Sequence, residues 1–183
     1  MERMISVFGP GRPSRREYNH AAAVGRLLAE RGCTVVCGGL YGVMEAACMG
    51  AKEAGGHTVG ILRTYNRHDA NPYVDIVLPT GLGDARNVLV ATAGEGAVAI
   101  AGRLGTLSEI AIALKHGIPV VGLGTWNLDR NALFDRFLPA VQTPEEAVDM
   151  VLDLADRRAA ERAAGLEEPE APTAPADLTS TEA

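Results

Sequence analysis

The sequence predicts a single α/β domain built on a doubly wound parallel sheet with helices on both faces. Three observations predict it. Short apolar runs of strand length alternate with longer stretches of helical periodicity along most of the chain. Glycine clusters close several of the strand candidates, where a chain must turn sharply into a helix. Hydrophobic residues make up 47% of the sequence and aromatic residues only 4%. Ala, Val, Leu and Gly therefore fill the core, as close packing of helices on a parallel sheet requires. A length of 183 residues suits one domain and buries enough surface for a real core.

The elements follow in order. Met4–Phe8 reads as a buried strand ended by Gly9-Pro10-Gly11. Residues 15–31 read as a helix with Ala22, Leu27 and Leu28 on its apolar face and Gly32 as its stop. Thr34–Cys37 is a short strand closed by Gly38-Gly39. Gly42–Ala54 is a helix ended by Gly55-Gly56, and His57–Leu62 is the next strand. Residues 63–73 are polar and read as an exposed loop. Tyr73–Leu78 is a further strand, followed by Thr80-Gly81-Leu82-Gly83 and a helix over 84–93. Ala97–Ala101 is a strand, Leu107–His116 a helix stopped at Gly117, and Pro119–Leu123 a strand. Thr143 is an N-cap with Pro144 at the first helical position, opening a helix to about Ala164. The domain thus spans 1–164. Residues 165–183, rich in Pro, Ala, Thr and acids, read as a disordered tail.

Charge and cysteine usage exclude several classes. The net charge is −6. Residues 159–183 hold six acids and one base, which leaves the body of the chain near neutral. Apart from the cluster Arg12, Arg15 and Arg16, nothing resembles the basic footprint of a nucleic-acid binder. Cys33, Cys37 and Cys48 lack metal-site spacing and nearby His partners, so no metal is expected. The N-terminus reads as a strand rather than a signal sequence, no apolar run approaches the length of a membrane helix, and the expected location is cytoplasmic.

The chemistry is expected at the carboxyl ends of the strands, where open parallel sheets bind ligands. Four glycine-rich loops fall there: Gly9-Pro10-Gly11, Gly38-Gly39-Leu40-Tyr41-Gly42, Thr80-Gly81-Leu82-Gly83 and Gly102-Arg103-Leu104-Gly105-Thr106. Glycine lets the backbone approach a ligand, and a helix N-terminus aims free N–H groups at an anion. A nucleotide or another phosphate-bearing small molecule is the expected partner. The P-loop signature is absent, Gly9-Pro10-Gly11 lacks the third glycine of a dinucleotide fingerprint, and no acid follows Cys37 to hold a ribose. No GxSxG elbow is present, and His20, His57, His68 and His116 are scattered. Glu109 has two readings. Thr106-Leu107-Ser108-Glu109 fits a capping box, in which Glu109 folds back on the turn, and the same residue could be catalytic. Met44 and Met49 read as core.

Three runs in order carry a family resemblance: GGLYGVMEAACMGAKEAGGHTVGIL (38–62), TGLGDARN (80–87) and AGRLGTLSEIAIALKHGIPVV (101–121). They resemble the LOG-like family of Rossmann-like proteins, long labelled lysine decarboxylases, and within it the short bacterial branch that is similar to molybdenum cofactor carrier proteins. The family signature PGGxGTxxE is matched by Gly102, Gly105, Thr106 and Glu109, with Ala101 in place of proline and Arg103 in place of the second glycine. The resemblance implies hydrolysis of the N-glycosidic bond of a nucleoside 5′-monophosphate, giving free base and ribose 5-phosphate. It assigns catalysis to Arg86 and Glu109. Phosphate or nucleotide contacts fall to Gly9, Gly38, Gly39, Gly42, Thr80, Gly81, Arg86, Asn87, Gly102, Arg103, Gly105 and Thr106. No cofactor is implied. Arg103 could block the phosphate turn or add a charge-assisted contact. The alternative is a non-catalytic carrier or sensor for molybdenum cofactor or a signalling nucleotide. The resemblance also implies a homodimer or higher homo-oligomer. A decarboxylase using pyridoxal phosphate is disfavoured, since the only lysines, Lys52 and Lys115, fall in helices.

Overall fold

Seven parallel strands form one sheet in the order β4-β3-β2-β1-β5-β6-β7. The computed structural model describes residues 2–126 and 138–165. The chain starts mid-sheet with β1 (Arg3–Phe8) and winds to one edge through α1 (Arg15–Glu30), β2 (Cys33–Cys37), α2 (Val43–Glu53), β3 (Thr58–Leu62) and β4 (Ile76–Pro79). A 3-10 turn, Gly83–Arg86, leads into α3 (Asn87–Ala93), which carries the chain back to β5 (Gly96–Ile100) beside β1. The chain then winds to the other edge through α4 (Leu104–Lys115), β6 (Val120–Leu123), β7 (Ala140–Val141) and α5 (Pro144–Ala163). The reversal between β1 and β5 opens a crevice at their carboxyl ends, the place where such sheets take ligands.

Side-chain alternation along the strands splits the core in two. Ile5, Val7, Val35, Val98 and Ile100 face α1, α2 and α5, while Phe8, Val36, Ala97 and Ala99 face α3 and α4. Helices therefore cover both faces, as expected for a doubly wound sheet. The α1–α2 contact is close enough to need glycine. A Cβ on Gly25 would collide with the Ala47 carbonyl, and one on Gly50 with the Ala22 carbonyl.

Several boundaries differ from the sequence reading. Helix α4 begins at Leu104 rather than Leu107, and β4 begins at Ile76 rather than Tyr73. Strand β7 was not anticipated, because two residues are too few to show a period. The loop at 63–73 is not wholly exposed: Asn71 is buried and donates through Nδ2 to the carbonyls of Gly39 and Leu40. The tail expected at 165–183 lies outside the described residues beyond Gly165. Among the described residues, no helix is long and apolar enough to cross a membrane.

Candidate functional site

A cleft of about 340 Å³ opens at the carboxyl end of the sheet, lined by Gly11, Arg12, Leu40, Tyr41, Met44 and Arg103. Each lining residue comes from a loop that follows β1, β2 or β5, or from the start of α2, so the switch in strand order builds the cleft. Gly9 and Gly42 allow the loops to close on one another. A side chain at Gly9 would strike Val43 of α2, and one at Gly42 would strike the Pro10 and Gly11 backbone. Gly39 and Gly42 also sit at φ 71° and 76°, where only glycine is comfortable.

The cleft is electropositive. Arg12 and Arg103 are exposed on its walls, and neither has an acidic partner among the described residues. Two helix N-termini meet there. Helices α2 and α4 start at Gly42 and Arg103 with no side-chain cap, whereas α1 and α5 carry complete capping boxes at Ser14–Glu17 and Thr143–Glu146. At α2 the Val43 N–H donates to the Pro10 carbonyl, and helix N-termini without side-chain caps retain a partial positive charge suited to an anion. Tyr41, 55% exposed, adds an aromatic surface to the same wall.

Beside the cleft lies a buried acid–base pair. Arg86 Nη1 donates to Glu109 Oε1 at 3.2 Å and to Asn87 Oδ1 at 2.9 Å. Asn87 in turn donates to the Ser108 hydroxyl, tying the 3-10 turn to α4. Gly38 packs directly on the guanidinium, so any larger residue there would displace Arg86. Glu109 is 7% exposed, and burial pushes its carboxyl up to about 7 against the opposing attraction of Arg86. Among the described residues, Arg86 Nε is buried without a hydrogen-bond partner, as is Thr125 Oγ1 near Gly102.

This arrangement corrects the capping reading of Glu109. Thr106 lies within the first turn of α4 and is not its N-cap, and the Glu109 carboxylate turns inward to Arg86 instead of back to the turn. A four-residue pattern cannot foresee a partner 23 positions away. The other assigned residues fall into two groups. Gly9, Gly38, Gly39, Gly42, Gly102, Arg103, Gly105 and Thr106 all follow β1, β2 or β5, around the crevice. Gly102 packs against Thr125 and Trp126, Gly105 is open to solvent, and Thr106 is buried. Thr80 and Gly81 lie instead at the end of edge strand β4. There the Thr80 hydroxyl donates to the Leu62 carbonyl, and Gly81 packs under Tyr65. The sequence reading placed Leu40 and Tyr41 in a glycine-rich loop and Arg12 in a basic cluster but assigned none of them, nor Asn71, to the site. Arg12 and Tyr41 had a usable signal, since both sit inside or against the glycine runs. Met44, expected in the core, does double duty: it is buried yet reaches the cleft.

A seven-strand parallel sheet with helices on both faces and an arginine-lined cleft at its switch point defines a Rossmann-like fold. Within that class, the SLOG cluster4 family matches residues 2–148, and the chain belongs to it. The LOG-like resemblance is thus supported at the level of the superfamily. An uncharacterized protein from Archaeoglobus fulgidus is 39% identical over 145 residues, covering 79% of this chain and 91% of its own. The structure of the molybdenum cofactor binding protein from Rippkaea orientalis aligns with a TM-score of 0.78 at 36% identity, covering 84% of this chain and 98% of that one. The molybdenum cofactor carrier protein of Chlamydomonas reinhardtii aligns with a TM-score of 0.75 at 33% identity, covering 85% and 99%.

Proposed function

We propose that this protein is a non-catalytic carrier that holds a phosphate-bearing heterocycle, with molybdenum cofactor as its cargo. The observation that carries the reading is the division of charge at the site. The two arginines that face the cleft are unpaired among the described residues, while the acid–base pair a hydrolase would use is buried and mutually engaged. Arg12, Arg103 and the start of α4 are suited to a phosphate. Tyr41, Leu40 and Met44 offer an apolar and aromatic wall to a flat ring. The likeness to the carrier from Chlamydomonas and the binding protein from Rippkaea supports the same reading.

The test is co-purification. The protein is expressed in a host that makes the cofactor, and released pterin is oxidised and read by fluorescence. Wild type should carry pterin, and the double variant Arg12→Glu, Arg103→Glu should carry at least tenfold less at equal folding. Wild type free of pterin, with no rise in Tm on adding pterin or nucleotide ligands, would sink the proposal.

A second reading, hydrolysis of a nucleoside 5′-monophosphate, is favoured by one observation. Glu109, held near neutrality and 3.2 Å from Arg86, has the proton affinity of a general acid or base. It would steady an oxocarbenium-like transition state and orient water, with Arg86 assisting departure of the base. Incubation with AMP at high protein concentration, followed by chromatography, separates the readings. Free adenine that vanishes in Glu109→Gln supports hydrolysis, and no adenine from wild type rejects it.

For the assembly, the proposal is a homodimer built through α3 and α4, whose outward faces carry Val88, Leu89 and Leu104 exposed.

A further inference from the structure

We propose that Cys37, Cys48 and Met44 form a binding site for a soft monovalent cation of the copper(I) type, set in the wall beneath the cleft. The three sulfur side chains form one buried cluster, packed round by Leu40, Tyr73 and Val74. Cys37 ends β2 and Cys48 lies on α2, and their Sγ atoms are 3.5 Å apart. A metal–thiolate bond of about 2.3 Å exceeds half that separation, so one ion can bridge both sulfurs. Met44, one turn before Cys48 on α2, belongs to the same cluster and also lines the cleft. It gives the pair a thioether neighbour that borders the cleft.

The donor set selects the ion. Thiolate and thioether sulfurs favour copper(I) among biological metals. Zinc takes four ligands, and among the described residues no group of three His, Cys, Asp or Glu side chains converges to supply them. The local polarity is consistent with anionic sulfur. The Gly39 N–H donates to Cys37 Sγ at 3.3 Å, and the Arg86 guanidinium adds positive potential. Binding breaks the ion's bonds to its buffer ligand, forms bonds to the two thiolates and the Met44 thioether, and releases the two thiol protons to solvent, with no change in the oxidation state of sulfur or metal. The site shares Met44 with the cargo cleft, whereas Cys37 and Cys48 do not line that cleft.

The test is an anaerobic titration of the reduced, full-length protein with copper(I) buffered by bicinchoninate, read as loss of the complex's colour. Cys33, at the opposite end of β2, supplies the control. Wild type and Cys33→Ser should each withdraw one equivalent, Cys37→Ser and Cys48→Ser none, and Met44→Leu should bind at least tenfold more weakly. A wild type that withdraws nothing, or a Cys37→Ser and Cys48→Ser pair that binds like wild type, overturns the proposal. Should the serine variants fail to fold, X-ray absorption of loaded wild type decides. A first shell of sulfur alone supports the site, and nitrogen or oxygen scatterers reject it. Pterin co-purification reads the carrier proposal separately.

Discussion

Burial pushes the Glu109 carboxyl up to about 7, and the single ion pair with Arg86 only partly opposes it. The folded state therefore holds a proton that the unfolded chain releases near its ordinary value of 4.5. A group raised on folding stabilises at pH below both values and loses that advantage as pH rises through the folded one. From about pH 4.5 to 8 the loss amounts to roughly 3 kcal/mol. Glu109→Gln removes this titration. The stability difference between variant and wild type should move by about that much in favour of the variant across the interval, measured by urea denaturation at each pH. Ala101 gives a second test at the same scale. It sits at φ 52°, a left-handed conformation costing a non-glycine residue roughly 1 kcal/mol, and its N–H donates to the Leu123 carbonyl. Proline, the signature residue at this position, is fixed near −65° and has no N–H. Ala101→Pro is expected to lower stability by about 3 kcal/mol or more, so restoring the signature here disrupts the turn.

At the scale of elements, the α1–α2 contact shows packing overruling propensity. Gly25 and Gly50 lie inside helices, where alanine is normally favoured by about 1 kcal/mol. A methyl on Gly50 would strike the Ala22 carbonyl, and backbone cannot rotate aside. The helices must separate, and such overpacking costs roughly 1–3 kcal/mol. Gly50→Ala should therefore lower Tm, by about 2–12 °C for a chain of this size, instead of raising it. Capping boxes are confined to α1 and α5, and α2, α3 and α4 begin without a side-chain cap. Thr143→Ala deletes the cap of α5 and should cost about 1 kcal/mol in denaturation, without effect on ligand. The starts of α2 and α4 hold no such cap, so their stability should rise when an anion is added.

At the scale of the whole molecule, the proposed dimer rests on the outward surface of α3 and α4. The sequence of α3, NVLVATA, carries no charge, and Val88 and Leu89 stand exposed on it. Sedimentation is expected to give about twice the chain mass of 19.2 kDa, and Val88→Glu should shift the protein to monomer.

The alternation of strand and helix and the glycine-rich loops that follow the strands were determined by the sequence. Each rests on local period or on the special freedom of glycine, and both are written within a few residues. The Gly102–Thr106 turn was legible for the same reason. The partner of Glu109 was not, because Arg86 comes from the far side of a crossover and the capping pattern fits the same four residues. Nor was the meeting of Arg12 with Arg103, or of Cys37 with Cys48, since β1 lies next to β5 only after the chain reverses and β2 meets α2 only when the helix docks. Tertiary structure decided which charges are neutralised inside and which face the cleft. Burial and pairing belong to the packed sheet and not to any stretch of the chain.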